Sequence, residues 1–252
     1  MDELSKILNK ANIGCCVGSF IINHLMYADD LVLIAPSAKA LQNLIKICGK
    51  YAKCNDIIYN TDKTKCMIFW PKVAIGNCAK FILQGKILSV VEVFKYLGVY
   101  ITSNLTDDYE MGKRTREVYA AGNTVISKFR NCARQRKILF CKIYCYNVYG
   151  ISLWTSYRVS AYAKLKVAHN DIFRALLNVR RSESASTLFV ENNTNNLDCI
   201  RRIAMNSLMN RLLNSRNSIV EILCNSAVRV HSKAWKCWAV ALGVEWEQIM
   251  VF

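Results

Sequence analysis

The pattern of apolar residues changes once along the chain, near Asn104, and this change constrains the fold more than any other feature. Before it, apolar residues come in short runs between turn residues, as in strands, and one stretch from Ala38 to Lys53 has helical spacing. After it, apolar residues recur at steps of three and four over long segments. The sequence therefore predicts an α+β protein with a small antiparallel sheet and a helix first, followed by an all-α region.

Three long helices are predicted in the second half. The first begins near Asp107, where Glu110 follows three residues later as at a helix start, and its inner stripe runs from Met111 to Cys132. The others span Ser160 to Val179 and Leu197 to Leu213. Ser182 to Asn196 is predicted as a polar loop, and Trp235, Trp238 and Trp246 mark a final helix. The predicted domains are residues 1–104, residues 105–225 and a helical tail of residues 226–252.

Charge follows the same division. The chain carries a formal net charge of +16, with +5 in residues 1–104, where every basic residue is Lys, and +11 in residues 105–252, where most are Arg. A strongly basic balance favours polyanionic partners, either nucleic acid or an acidic membrane surface.

Cysteine usage and hydropathy narrow the class of protein further. The 12 cysteines are scattered without a Cys-x-x-Cys pair, which favours reduced, mostly buried thiols; Cys141 and Cys145 would share a helix face, where core packing is favoured over metal binding. No apolar run approaches the roughly 20 residues needed to span a bilayer. The start of the chain lacks the order of a secretory signal. We expect an intracellular protein, nuclear or cytoplasmic, that is neither secreted nor inserted in a membrane.

The strongest chemical signal is Tyr27-Ala28-Asp29-Asp30, which lies between the apolar runs Val17 to Leu25 and Leu31 to Ala35. This spacing predicts a hairpin with the carboxylates at its tip. Adjacent carboxylates suit Mg²⁺, which takes oxygen ligands, although a solvated turn would also tolerate them. The second such pair, Asp107-Asp108, is explained by the helix dipole.

Further strands are predicted behind the hairpin. Two of them, Ile57 to Tyr59 and Cys66 to Trp70, flank a turn at Asn60-Thr61-Asp62-Lys63. The others are Phe81 to Leu83, Lys86 to Val91 and Phe94 to Ile101, with Gly98 as a turn or close-approach position.

Three of these motifs, in this order, resemble the reverse transcriptases of non-LTR retrotransposons. They are Tyr27-Ala28-Asp29-Asp30-Leu31-Val32-Leu33, then Asn60-Thr61-Asp62-Lys63-Thr64-Lys65, then Phe94-Lys95-Tyr96-Leu97-Gly98. Leu41-Gln42 also agrees, and a looser likeness through Tyr149 to Trp154 extends the resemblance over roughly residues 13–215. The first half then resembles part of a polymerase palm, and the second half resembles a thumb.

The resemblance implies roles for residues of the first half. Asp29 would be a direct Mg²⁺ ligand with Asp30 beside it, and Lys63 would lie near the phosphates of the incoming nucleotide, although an exposed turn lysine is an equal alternative. A further motif would grip the primer end, with a core strand as its alternative: Phe94, Lys95, Tyr96, Leu97 and Gly98.

In the helical half, basic residues opposite the apolar stripe would follow the phosphates of an RNA template and DNA primer without reading sequence. A solvated helix face is the alternative for each of them. They are Lys113, Arg114, Arg116, Lys128 and Arg130.

One departure from the family limits the expected activity. A catalytic aspartate upstream of the turn, the fingers and a Gln-Gly-containing segment of the nucleotide site have no counterpart in this sequence. We therefore expect a truncated RNA-directed DNA polymerase, a nucleotidyltransferase that is inactive alone. The alternative is a basic helical protein that binds RNA or DNA without catalysis. Missing strands would also leave an exposed sheet edge through which the protein could self-associate.

Overall fold

The computed structural model describes residues 2–69, 80–146, 148–225 and 232–242, and it confirms an α+β fold. The described strands are β1 (Cys15–Val17), β2 (Phe20–Ile22), β3 (His24–Tyr27), β4 (Asp30–Leu33), β5 (Lys65–Cys66), β6 (Phe81–Leu83), β7 (Lys86–Val90), β8 (Val93–Tyr96) and β9 (Val99–Thr102). The described helices are α1 (Asp2–Lys10), α2 (Ala38–Cys54), α3 (Asp108–Lys128), α4 (Arg134–Tyr144), α5 (Val159–Leu177), α6 (Ala185–Glu191), α7 (Leu197–Leu213), α8 (Ser218–Asn225) and α9 (Lys233–Leu242), with a 3₁₀ helix at Ile151–Leu153.

The chain divides into two units. The first contains Met1–Phe94 and Arg216–Arg229, and the second contains Lys95–Ser215 and Val230–Phe252. Each unit has its own apolar clusters. The strands up to β7 belong to the first unit, and most of the long helices belong to the second.

The first unit is organised around α2, which the sequence predicted almost to the residue. Ser37 has an extended backbone and caps the helix, because its side chain accepts a hydrogen bond from Ala40 N. Leu44 and Cys48 bury one side of α2 against α1, and Ile45 packs against β6 and β7. The helix therefore supports both the β3–β4 hairpin and the sheet formed by β5, β7 and β6.

Two strand predictions in this unit are wrong. The run from Val17 to Leu25 is not one strand, because Gly18 has a φ of +59° and turns the chain back between β1 and β2. Ile57 to Tyr59 forms no strand; the side chain of Gln84 pairs with this segment, donating to Ile57 O and accepting from Tyr59 N. One side chain thus replaces the strand partner that these backbone groups would otherwise need.

Two other strand predictions are only partly met. The strand that was predicted from Cys66 onward is the short β5, which pairs parallel to β7, and Trp70 lies outside the described residues. The run from Phe94 to Ile101 is a hairpin of β8 and β9 that turns at Leu97 and Gly98.

The second unit is a helical assembly whose centre is the contact between α3 and α5. The stripe predicted for α3 is confirmed from Met111 to Val125, since Met111, Val118 and Val125 are buried, but the helix ends at Lys128, before the predicted Cys132. Gly122 allows α5 to approach closely, because a Cβ added there would lie 2.5 Å from Ile172 Cδ1. The bounds that were predicted for α7 are also confirmed.

Ser182 to Asn196 is not a loop throughout, as predicted, because it contains α6. Ser184 caps this helix by accepting from Thr187 N, and Ala185, Leu188 and Phe189 are buried. These three apolar residues at helical spacing bury one side of a short helix of about two turns, although polar residues surround them.

The predictions about cysteines and membrane-spanning segments can also be compared with the structure. The described cysteines are free, and Cys141 and Cys145 are buried in the core of the second unit. Cys16 and Cys54 are exposed, so the prediction of mostly buried thiols is met only in part. Within the described ranges, no helix combines the length and apolar content needed to cross a membrane. Trp235 and Trp238 lie in α9, and Trp246 lies outside the described residues.

Candidate active site

The β3–β4 hairpin places its aspartates at the tip, as the sequence predicted. Tyr27 pairs with Asp30 across the two strands, which leaves Ala28 and Asp29 as a two-residue turn. Ala28 has a φ of +53°, a conformation that is uncommon for a residue with a side chain. Asp29 therefore lies in the turn itself, and Asp30 is the first residue of β4.

Apolar packing supports one face of this hairpin. Met26 and Leu31 are paired across the strands, and both pack against the buried residues Leu4, Leu8 and Leu44 of α1 and α2. Side chains alternate along a strand, so Tyr27 and Asp30 lie on the face opposite to Met26 and Leu31. One face of the hairpin is therefore packed against α1 and α2, and the carboxylate of Asp30 lies on the opposite face.

Polar contacts fix the base of the hairpin to α1. The buried Asn23 donates from Nδ2 to Leu8 O at 2.7 Å, and its Oδ1 lies 2.6 Å from His24 Nδ1. On the other side of the ring, His24 Nε2 lies 2.8 Å from Ser5 Oγ. Because Nδ2 of Asn23 is used on Leu8, its Oδ1 accepts from His24 Nδ1–H, and the opposite ring nitrogen accepts from Ser5. Burial lowers the pKa of His24, which favours this neutral form of the ring.

The two carboxylates at the tip are free to bind a cation. Asp29 and Asp30 are both exposed, and no ion pair joins either of them to a basic group among the described residues. Carboxylate oxygens are the ligands that Mg²⁺ takes in proteins, so the donor type fits. The donor number does not complete a site, because no group of three potential metal ligands occurs within the described ranges.

Lys63 lies in the turn that precedes β5, as predicted. Asn60 forms this turn, with Oδ1 accepting from Lys63 N at 3.0 Å and the backbone oxygen accepting from Thr64 N at 2.9 Å. Lys63 is exposed, and no carboxylate in the described part of the chain pairs with it. Its ammonium group is available to an anion in solution.

Phe94 to Gly98 forms β8 and the turn into β9. Leu97 has a φ of +45° and Gly98 a φ of +85°, and two positive values in a two-residue hairpin turn define type I′. The close approach predicted at Gly98 is made by a side chain of the same protein, since an added Cβ would lie 3.0 Å from Tyr149 Cε1.

The carbonyls of this turn are held by two side chains. Tyr149 Oη donates to Leu97 O at 3.0 Å, and Arg114 Nη2 donates to Gly98 O at 2.6 Å. Arg114 also lies over the ring of Tyr149, 5.6 Å from its centre. One arginine and one tyrosine, which belong to the second unit as the turn does, thus fix the turn.

The predicted solvent-facing position of Arg114 is wrong. Its side chain is 11% exposed and forms ion pairs with Glu110 at 2.6 Å and with Glu117 at 2.7 Å. Glu110 is buried, and its second oxygen accepts from Tyr100 N at 2.9 Å. The apolar stripe of α3 alone does not indicate that Arg114 is buried. A basic residue next to such a stripe is buried only when an acidic partner lies one turn away.

The other predicted basic residues are accessible. Arg116, Lys128 and Arg130 are exposed, and Lys113 is half-buried beside two tyrosines. Lys95 is exposed on β8. None of these five cations forms an ion pair with another described residue.

The second aspartate pair is fully engaged. Asp107 Oδ2 accepts from Thr155 N at 2.8 Å and Ser156 N at 2.7 Å, and Asp108 accepts from both the backbone and the side chain of Arg158. Burial raises the pKa of Asp107 above its ordinary value, although the two backbone hydrogen bonds oppose this. The pair fastens α3 to the segment before α5, a role that the helix dipole did not predict.

Sequence reasoning missed Glu110 and Tyr149 as residues that hold the β8–β9 turn. Glu110 was interpreted only as part of a helix start, and Tyr149 only as one end of a loosely similar segment. The spacing of Glu110, Arg114 and Glu117 at steps of four and three was the available signal, since such residues share one helix face.

Residues 1–101 match the family model described as reverse transcriptase (RNA-dependent DNA polymerase). The matched residues include the Tyr27–Asp30 turn, the Asn60 turn and the Phe94–Gly98 motif, so the resemblance to reverse transcriptases is confirmed for this part of the chain. Searches of curated proteins and of solved structures found no match.

Proposed function

We propose that this chain supplies the metal-binding turn and the primer-end hairpin of an RNA-directed DNA polymerase of the non-LTR retrotransposon type. The observation that carries the proposal is the register of the β3–β4 hairpin, which sets Asp29 in the turn and Asp30 beside it. Both carboxylates are exposed on a hairpin whose other face is packed. The match of residues 1–101 to the reverse transcriptase family supports this assignment.

In this proposal, each residue has a separate role. Asp29 and Asp30 would hold Mg²⁺, which would supply positive charge to stabilise the oxygens of phosphoryl transfer. Asp29, which lies in the turn, is the direct ligand that the resemblance to reverse transcriptases implies, with Asp30 beside it at the start of β4. Lys63 attracts the triphosphate of the incoming nucleotide, and the β8–β9 turn supports the primer end. The partners are an RNA template and a DNA primer.

We further propose that this chain does not extend a primer by itself. A centre with two metal ions needs more ligands than two neighbouring carboxylates provide, and the described residues offer no third ligand close to them. A carboxylate from another segment or another polypeptide would complete the site.

Photo-crosslinking tests where the primer end binds. The primer of an RNA–DNA duplex carries 4-thiothymidine at its 3′ end, and irradiation should attach it to residues 94–98. A parallel extension assay with Mg²⁺ should show no incorporation. Incorporation that disappears in Asp29→Asn would contradict inactivity but not the polymerase assignment. Crosslinks confined to the basic helices would instead contradict the assignment.

The second candidate is a basic helical protein that binds RNA or DNA without catalysis. It is favoured by the exposed cations of α3 and the residues behind it, Arg116, Lys128 and Arg130, which lack ion-pair partners among the described residues. Under this candidate, nucleic-acid affinity depends on salt but not on Mg²⁺ or on a paired primer end.

Self-association through a sheet edge remains a prediction. Phe20 and Ile21 of β2 are 52% and 41% exposed, and the described part of β2 pairs only with β1. A strand that leaves one edge unpaired and carries exposed apolar residues is a route to association. Sedimentation of Phe20→Lys beside the unmodified chain tests it, since the substitution should shift a self-associated species toward monomer.

A further inference from the structure

Two tyrosines and two lysines of the second unit form one surface cluster. The rings of Tyr100 and Tyr109 lie edge to face with their centres 5.3 Å apart. Lys113 Nζ lies 5.4 Å from the centre of each ring, and Lys95 Nζ lies 5.5 Å from the centre of Tyr100. We call these four residues the tyrosine–lysine cluster.

The cluster is built on regular structure rather than on a loop. Lys95 lies on β8, Tyr100 on β9, and Tyr109 and Lys113 on one face of α3 at a separation of four residues. Glu110 joins the strand to the helix, because its buried carboxylate accepts from Tyr100 N at 2.9 Å. The positions of the rings are therefore set by the core of the unit.

Both ammonium groups of the cluster are open to an anion. No described carboxylate forms an ion pair with Lys95 or Lys113. Glu110, which follows Tyr109 directly, uses one oxygen on Arg114 and the other on Tyr100 N. Both oxygens of the Glu110 carboxylate are thus used by other partners, and the two lysines lack a counterion from the described chain.

The aromatic part of the cluster is also accessible. Tyr109 is 39% exposed. Tyr109 lies in the first turn of α3, outside the core stripe that begins at Met111, so part of its ring faces solvent. An exposed ring beside two cations offers stacking and charge together.

We propose that the tyrosine–lysine cluster binds one or two unpaired nucleotides of single-stranded RNA or DNA. A base stacks on Tyr109, and Lys95 and Lys113 contact the adjoining phosphates. The cluster holds no arginine or amide side chain that could form a paired contact with a base edge, so binding is independent of sequence. All four residues belong to the second unit, and the proposal does not depend on the metal-binding turn.

The test is a fluorescence anisotropy titration of the full chain with a labelled oligonucleotide of about twelve adenosines, as DNA and as RNA, and with an abasic strand of the same length. The unmodified chain should bind the adenosine strands about 10-fold more tightly than the abasic strand, because stacking on one ring is worth roughly that factor. Tyr109→Leu should remove this preference, and Tyr109→Phe should keep it. Lys113→Ala should reduce the slope of log affinity against log salt by about 0.7.

Matched controls separate a site from general charge. Tyr119 lies on the same helix with 37% exposure and outside the cluster, so Tyr119→Leu should leave binding unchanged. The titrations contain no Mg²⁺, so their outcome does not depend on the metal-binding turn, and a failure of this proposal would leave the assignment of that turn standing. Equal losses in Tyr109→Leu and Tyr119→Leu, or equal affinity for adenosine and abasic strands, would overturn the proposal. Thermal melting of each variant establishes that it is folded.

Discussion

The two Asp-Asp pairs of this chain are identical as dipeptides and opposite in their surroundings. Asp29 and Asp30 lie exposed at a hairpin tip without a basic partner among the described residues. Asp107 and Asp108 accept four hydrogen bonds from the segment that precedes α5. A carboxylate whose oxygens are already used is not available to a metal ion, so only the first pair can serve one. The comparison teaches that neighbouring donors, rather than the dipeptide, decide the role.

Two arginines of α3 show the same contrast. Arg114 is buried beside Glu110 and holds the β8–β9 turn, whereas Arg116 is exposed and, among the described residues, donates only to Gly112 O of its own helix. Both were predicted to follow phosphates. Only Arg116 keeps a guanidinium group that solvent can reach.

The largest effect is expected for Arg114→Met. Removing the cation leaves the carboxylate of Glu110 buried without its ion-pair partner, and breaking a buried pair in this way costs about 3–5 kcal/mol. Arg116→Met should change the free energy of unfolding by less than about 0.5 kcal/mol. Urea denaturation of both variants measures the difference, and equal stability would contradict the engaged role of Arg114.

The second largest effect is expected from a buried histidine, His169, which should make the stability of the protein depend on pH. His169 is buried against Tyr146 and Phe189, and neither ring nitrogen has a hydrogen-bond partner in the described structure. Burial lowers the pKa of His169 to about 4 from 6.5, and the charge of Asp198 opposes this only in part.

Between these two pH values, the unfolded chain binds a proton that the folded chain does not. The free energy of unfolding should therefore keep its full value above pH 6.5. It should fall by on the order of 3 kcal/mol as the pH drops toward 4. His169→Phe should remove this loss. An unchanged acid limb in urea titrations of the variant would show that His169 is not its source.

A smaller effect is expected when the two aspartate pairs are compared directly. Asp107→Ala leaves Thr155 N and Ser156 N without their acceptor, which should cost about 2 kcal/mol. Asp29→Ala removes an exposed turn carboxylate and should stay within about 0.5 kcal/mol of the unmodified chain. Thermal denaturation checks both, and a large loss in Asp29→Ala would mean that this carboxylate has a structural role.

Local sequence signals predicted the elements whose stability is local. The apolar stripes of α2, α3, α5 and α7 repeat over several turns, so helical periodicity identified these helices. The β3–β4 hairpin was also predictable, because apolar runs flank a short polar turn. The carboxylates at its tip followed from this pattern.

Tertiary contacts decided the rest. The segment from Ile57 to Tyr59 depends on a side chain about 25 residues away, Gln84, and no local pattern indicates that pairing. The burial of Arg114 depends on the distant turn at Gly98 as well as on its helix neighbours. Likewise, the exposed Tyr109 becomes part of a cluster only when β8 and β9 lie beside α3.

The most direct test of the metal-binding turn is Mn²⁺ binding followed by electron paramagnetic resonance, with Mn²⁺ in place of Mg²⁺. The account predicts a site that disappears in the double variant Asp29→Asn, Asp30→Asn and that persists in Asp108→Asn, whose carboxylate is already bound to Arg158. Mn²⁺ binding that survives in the double variant, or that is lost in Asp108→Asn, would contradict it.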